Sequence, residues 1–132
     1  MYVAISTHDG KTLHNDHYGD GTYFDIYELR PDGYTFLNRV ANTTGEEEEH
    51  DHHHGDSKKA SGIGQIVGRA GAQVLVAKAF GPNIKKMVKN FVPVLVKDDT
   101  IEQALETLRQ NYDRIKEEWE KGENRTWLNL KR

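Results

Sequence analysis

Residues 72–96, AQVLVAKAFGPNIKKMVKNFVPVLV, decide the fold of this 132-residue chain. The segment holds two β-forming apolar runs, Gln73–Ala79 and Val92–Val96, on either side of a stretch with apolar residues at helical spacing. Short, nearly continuous apolar strands are typical of parallel sheets. Gly81-Pro82 precedes the helical stretch, and proline suits the first helical position because its missing N–H is no loss there. The segment therefore predicts a βαβ unit.

The residues on either side complete one α/β domain. Three further β-forming runs precede the segment, and Arg30-Pro31-Asp32-Gly33 predicts a turn between the second and the third. Apolar residues at helical spacing predict a helix on each side, and Thr100-Ile101-Glu102-Gln103 fits a capping box at the start of the second one. We expect one domain over residues 1–122 with a mixed five-stranded sheet, and a polar tail over 123–132. The predicted strands and helices outside the segment are 2–6, 23–29, 34–40, 60–71 and 101–119.

The composition excludes several classes of partner. With 18 basic and 21 acidic residues, the formal net charge is -3, which argues against nucleic acid, because phosphate binding needs clustered Lys and Arg. No apolar run approaches the roughly 18–20 residues that span a bilayer, and the N-terminus lacks a signal-peptide pattern, so we expect a cytoplasmic protein without membrane contact. The chain has no cysteine, so it offers no thiolate to a metal.

Residues 46–56, EEEEHDHHHGD, show the strongest pattern for metal binding. Like charges at this density repel one another, so we expect a flexible loop over residues 42–58. The imidazoles of His50, His52, His53 and His54 are candidate ligands, and the carboxylates attract cations. This donor set suits Zn, Ni or Cu better than Mg. The alternative is a solvated loop that takes up metal ions without biological use.

Several short motifs follow one another in order along residues 1–108. They are Thr7-His8-Asp9-Gly10, His17-Tyr18-Gly19, YFDIY at 23–27, AQVLVA at 72–77, Gly81-Pro82, VLV at 94–96 and TIEQAL at 100–105. Together they resemble the dinitrogenase iron–molybdenum cofactor-binding family, the NifX-like and NafY-like domains. The resemblance implies an RNase H-like three-layer fold with sheet order 3-2-1-4-5. It also implies binding or carriage of an iron–molybdenum or related metal–sulfur cluster, or its precursor, in exchange with cluster-assembly proteins.

Four residues are the candidates for holding such a cluster: His8, His17, Gly81 and Asn83. The two histidines lie in the first connection, near the carboxyl end of the first strand, and open α/β sheets bind ligands at that edge. His17 is also a candidate metal ligand. Gly81 and Asn83 open a helix, where N–H groups favour an anion. The alternatives are a histidine that caps a turn and an ordinary strand–helix connection.

The sequence does not support an enzyme. A two-metal nuclease of this fold needs convergent carboxylates, one of them in the first strand, and Tyr2–Ser6 contains no acid. The glycines of 62–68 do not follow a strand, and they lack the Gly-Lys-Ser/Thr of a phosphate-binding loop. The leading prediction is a non-catalytic cluster carrier, and the alternative is a divalent-metal buffer or metallochaperone that acts through the His/Glu loop. The long apolar stripe of the C-terminal helix also suggests a homodimer.

Overall fold

The computed structural model describes residues 1–44 and 55–131, and for residues 55–60 it describes the backbone alone. The described strands are β1 Tyr2–Thr7, β2 Tyr23–Arg30, β3 Gly33–Ala41, β4 Val74–Ala77, β5 Val92–Leu95 and β6 Leu128–Asn129. The described helices are α1 Gly55–Arg69, α2 Ile84–Met87, α3 Ile101–Gln110 and α4 Tyr112–Glu120, with short 3₁₀ turns at Tyr18–Asp20 and Gly122–Asn124.

The strands form one mixed sheet in the order β3-β2-β1-β4-β5-β6. β2 runs antiparallel to β1 and β3, and the other neighbouring pairs are parallel. The α/β class is confirmed, and the first five strands take the predicted order. The predicted total of five strands was wrong, because the residues expected to form a tail add β6. The RNase H-like class stays a prediction.

β6 forms because the C-terminal residues return to the core. The Leu130 N–H donates to the Leu95 carbonyl at 2.8 Å, and Leu128 pairs with Val94. The Leu128 and Leu130 side chains are buried. A two-residue strand is too short to show any periodicity, so only its position beside β5 reveals it.

The sheet carries an apolar layer on each face, because successive strand residues point to opposite sides. Val3 and Ile5 pack with residues of α3 and α4, whereas Ala4 packs with residues of α1 and α2. The apolar stripe predicted for the C-terminal helix lies in the first of these clusters, with Ile101, Ala104, Leu105, Leu108 and Ile115 all buried.

Two predicted helix boundaries were wrong. The helix predicted over 101–119 is interrupted at Asn111, whose side-chain Nδ2 donates to the Thr107 carbonyl at 2.8 Å and so offers the backbone a local alternative. α1 begins at Gly55, so residues 55–58 of the predicted loop are helical. The predicted cap is confirmed, since Thr100 Oγ1 accepts the Gln103 N–H at 3.1 Å. Within the described residues, no helix combines the length and apolarity needed to cross a bilayer.

Candidate functional site

The connection between β1 and β2, residues 8–22, crosses the carboxyl ends of the parallel strands, and we call it the strap. The Leu13 N–H donates to the Asp99 carbonyl at 2.9 Å, beyond the end of β5. The Tyr18 N–H donates to the Ala79 carbonyl at 2.8 Å, just beyond β4. The strap therefore lies at the sheet edge where open α/β folds bind ligands.

Tyr18 anchors the strap in the core. Its ring is fully buried and stacks on Phe24 and Phe80, with ring centroids 5.1 and 5.0 Å away. Its hydroxyl donates to the Ala4 carbonyl at 3.1 Å, and burial raises the pKa of the phenol, so the proton needed for this bond is retained. Because Tyr18 is held in this way, the backbone of the adjoining His17 is also fixed.

The exposed ring of His17 lies directly against Gly81. Gly81 adopts φ +71°, and a Cβ placed there would lie 2.6 Å from His17 Nδ1, closer than any real Cβ contact. Two features therefore favour glycine at this position: the backbone conformation and the closeness of the His17 ring.

A cavity of about 330 Å³ opens beside the His17 ring, and we call it the His17 pocket. Its lining consists of His17, Gly19, Asp20, Ile63, Phe80, Pro82, Asn83 and Met87. The structure thus brings together three of the four predicted cofactor-binding residues, with His17 and Asn83 in the lining and Gly81 against the imidazole. A groove of about 540 Å³ between α1 and α2 adjoins the pocket and shares Ile63 and Met87 with it.

The start of α2 contributes less to anion binding than the sequence predicts. α2 is a single turn of four residues, and a short helix has little dipole. Pro82 has no N–H, and the Ile84 N–H donates to the Gly81 carbonyl at 3.3 Å. Pro82 and Ile84 therefore offer no free N–H to an anion, and the Asn83 side chain, which makes no capping bond to the helix, is a candidate donor.

Comparisons with known proteins identify the family of the chain. A family model described as dinitrogenase iron-molybdenum cofactor matches residues 1–111. The chain belongs to this family. A search of the curated proteins finds no match. A 1.70 Å crystal structure of a protein from Methanocaldococcus jannaschii, provisionally named a dinitrogenase, is similar with a TM-score of 0.59 and 20% identity, over 84% of this chain and 89% of that chain. At this identity the likeness shows the fold alone, whereas the family match supports a role in binding or making the cofactor.

In this family member, His8 lies at the start of the strap and is not part of the pocket lining. Its ring stacks on His14, with centroids 4.2 Å apart, and its Nε2 is 3.4 Å from Asp16 Oδ2. Burial lowers the pKa of His14, and the nearby His8 acts in the same direction. The role of His8 in cofactor binding stays a prediction. His14 and Asp16, which lie beside His8, could not be singled out from the sequence, because their spacing matches no known metal motif.

The predicted metal ligands His50, His52, His53 and His54 lie outside the described residues. The residues that precede them are tied to the strap, since Asn42 Nδ2 donates to the Gly19 and Gly21 carbonyls at 2.9 and 2.8 Å. On the other side, Ile63 of α1 lines the His17 pocket. Both described flanks of the acidic, histidine-rich segment therefore contact the site.

Proposed function

We propose that this protein binds and carries an iron–molybdenum or related metal–sulfur cluster, or its precursor, in the His17 pocket without transforming it. The observation that carries the proposal is the exposed His17 imidazole, which lines the pocket next to the anchored Tyr18 and lies against Gly81. Family membership over residues 1–111 indicates which class of ligand to test.

The chemistry of the pocket suits a cargo that brings most of its own ligands. Without cysteine, the chain cannot hold a cluster by thiolates, the usual ligands of iron–sulfur centres. An imidazole coordinates an iron or molybdenum atom, or donates an N–H bond to a sulfide, and the Asn83 amide adds a further donor. A volume of about 330 Å³ is at the lower end of the usual range for ligand pockets, about 300–1,000 Å³.

The lining supports carriage rather than catalysis. It contains one imidazole, one carboxylate and one side-chain amide, and its other members are apolar residues or glycine. Among these lining residues there is no Ser, Thr, Cys or Lys nucleophile, and no pair of carboxylates for acid–base work. The proposal also includes a cytoplasmic location and exchange of the cluster with cluster-assembly proteins.

The direct test is an anaerobic titration of isolated iron–molybdenum cofactor into the full chain, followed by absorbance and gel filtration. We expect His17→Ala to weaken binding at least about tenfold, since loss of a ligand costs no less than loss of its outer hydrogen-bond partner. Because His17 is exposed, circular dichroism should show an unchanged fold. A His17→Ala protein that retains the cofactor with unchanged affinity would end the proposal.

The alternative is a buffer or metallochaperone for Zn, Ni or Cu that acts through the His/Glu segment alone. The two functions differ in the residues they need. A bare ion requires only His50 to His54, whereas a cluster requires His17 and the Gly81 turn. Isothermal titration of Zn²⁺ and Ni²⁺ into a chain with residues 45–54 replaced by Gly/Ser tests the alternative, which fails if the affinity is unchanged.

A homodimer through the C-terminal helices is a further proposal about partners. Most of the apolar stripe that suggested it is buried inside the domain. Among the described residues after the helix, Trp127 is a large apolar side chain that stays 36% exposed. Analytical ultracentrifugation tests it, and a clean monomer at high concentration would remove it.

A further inference from the structure

Three side chains of the strap bring metal-ligand atoms together outside the His17 pocket. One ligand atom each from His8, His14 and Asp16 lies within 4.8 Å of the other two. His8 Nε2 is 3.4 Å from Asp16 Oδ2, and His14 Nδ1 is 4.0 Å from the same oxygen. An imidazole–carboxylate hydrogen bond is usually about 2.7–2.9 Å long. Two ligands of one tetrahedral zinc ion, each at about 2.0–2.1 Å, lie about 3.4 Å apart.

An outer hydrogen bond sets the tautomer of His14 that metal binding requires. Ser6, which is 1% exposed, donates its only hydroxyl proton to the Tyr18 carbonyl at 2.7 Å. It therefore accepts from His14 Nε2, also 2.7 Å away, and the lone pair of a neutral His14 is on Nδ1, towards Asp16. On the other ring, His8 Nδ1 lies 2.9 Å from Thr22 Oγ1 and accepts the Thr22 N–H at 3.2 Å, so Nε2, which faces Asp16, carries the proton of the neutral ring. Metal binding through Nε2 requires this proton to move to Nδ1, where Thr22 Oγ1 accepts it. An outer hydrogen bond from the second ring nitrogen orients a metal-binding histidine.

The charges at the cluster also suit a cation. Asp16 lies close to both rings, and Asp20 also acts on His14 with negative charge. Two bonds compete with an ion. The Asp16 N–H donates to His14 Nδ1 at 3.1 Å, and the Thr22 N–H donates to His8 Nδ1 at 3.2 Å. Binding exchanges the first of these for a metal–nitrogen bond and opens the stacked rings, which stand 28° apart.

We propose that His8, His14 and Asp16 form a site for one divalent transition-metal ion, distinct from the His17 pocket. Two imidazoles and one carboxylate favour Zn²⁺, Co²⁺ or Ni²⁺ over Mg²⁺ and Ca²⁺. The site does not depend on the proposed cluster cargo. Its ion joins two parts of the strap that leads to His17, so occupancy makes this segment more rigid.

The test uses the full chain with His50, His52, His53 and His54 changed to Ser, which removes the histidine-rich segment as a competitor. Zn²⁺ is titrated by calorimetry, and Co²⁺ by its visible absorption bands. Asp16→Asn is the decisive variant, because its side chain is 65% exposed and its backbone N–H is kept. Asp32→Asn, at an 86% exposed side chain in the β2–β3 turn, is the matched control.

We expect Asp16→Asn to weaken Zn²⁺ binding at least about tenfold and to remove the Co²⁺ bands, with Asp32→Asn unchanged. His8→Ala, which removes a second proposed ligand, should weaken Zn²⁺ binding and remove the Co²⁺ bands in the same way. The proposal is overturned if Asp16→Asn binds Zn²⁺ as tightly as Asp32→Asn does. It is equally overturned if the histidine-to-serine parent shows no stoichiometric Zn²⁺ binding.

Discussion

Gly81→Ala tests whether the glycine holds the His17 ring at the pocket. The backbone at Gly81 has φ +71°, and an L-residue in the left-handed region costs about 1–2 kcal/mol. The new methyl group would lie 2.6, 2.8 and 3.2 Å from three ring atoms of His17. Carbon atoms pack at about 3.5–4.0 Å, so the ring must move by roughly 1 Å. Because the His17 ring is exposed, it can move into solvent, and the free-energy cost of this movement stays near the lower limit for overpacking, about 1 kcal/mol.

The expected loss is thus about 2–3 kcal/mol of unfolding free energy. For a domain of this size, that lowers Tm by roughly 6–15 °C. Gly122→Ala is the matched control, because Gly122 has φ +58° and nothing within 4 Å of an added Cβ, so it carries the backbone cost alone. Thermal unfolding by circular dichroism measures both, and the anaerobic cofactor titration reports the pocket. The reasoning is refuted if both variants lose the same stability and Gly81→Ala still binds cofactor normally.

Three further predictions concern the residues that support the site and the C-terminus. Glu118→Ala should lower the free energy of unfolding by about 1–3 kcal/mol, because this buried carboxylate accepts the Thr126 N–H at 2.9 Å. Faster hydrogen exchange of the Thr126 amide would confirm the loss of this bond. Because the pKa of His14 is lowered in the folded chain, the unfolded chain binds more protons, and the free energy of unfolding should fall as pH drops below 6.5. Urea unfolding at several pH values should give a shallower dependence of this free energy on pH for His14→Gln, and an equal dependence would contradict the prediction. Tyr18→Phe should lose only about 0.5–1.5 kcal/mol and keep cofactor binding, since the ring stacking remains; a cofactor-free variant would count against Tyr18 as a ring anchor.

Much of the fold was predictable, because the residues that favour each strand or helix locally are also the apolar residues that the core buries. The apolar runs at Val74–Ala77 and Val92–Leu95 appear as parallel strands, and Thr100 caps a helix as its spacing predicts. The break at Asn111 was not predictable, because the apolar stripe continues across it in the same phase and the competing side-chain bond to Thr107 depends on local geometry.

The candidate site was predictable in part. His17, Gly81 and Asn83 were expected at one sheet edge from the order of the strands, and they meet there. The contact of His14 with Ser6 was not predictable, because it joins the end of β1 to a strap whose path depends on the burial of Tyr18.

By itself, the sequence determined the layered α/β architecture, the order of its first five strands and the family, because these follow from the periodic placement of apolar residues and from motifs in a fixed order. Only the tertiary structure decided the sixth strand and the contact of His17 with Gly81. These features depend on distances between residues far apart in the chain. Such distances are set when the sheet twists and the layers pack, and no local pattern of residues encodes them.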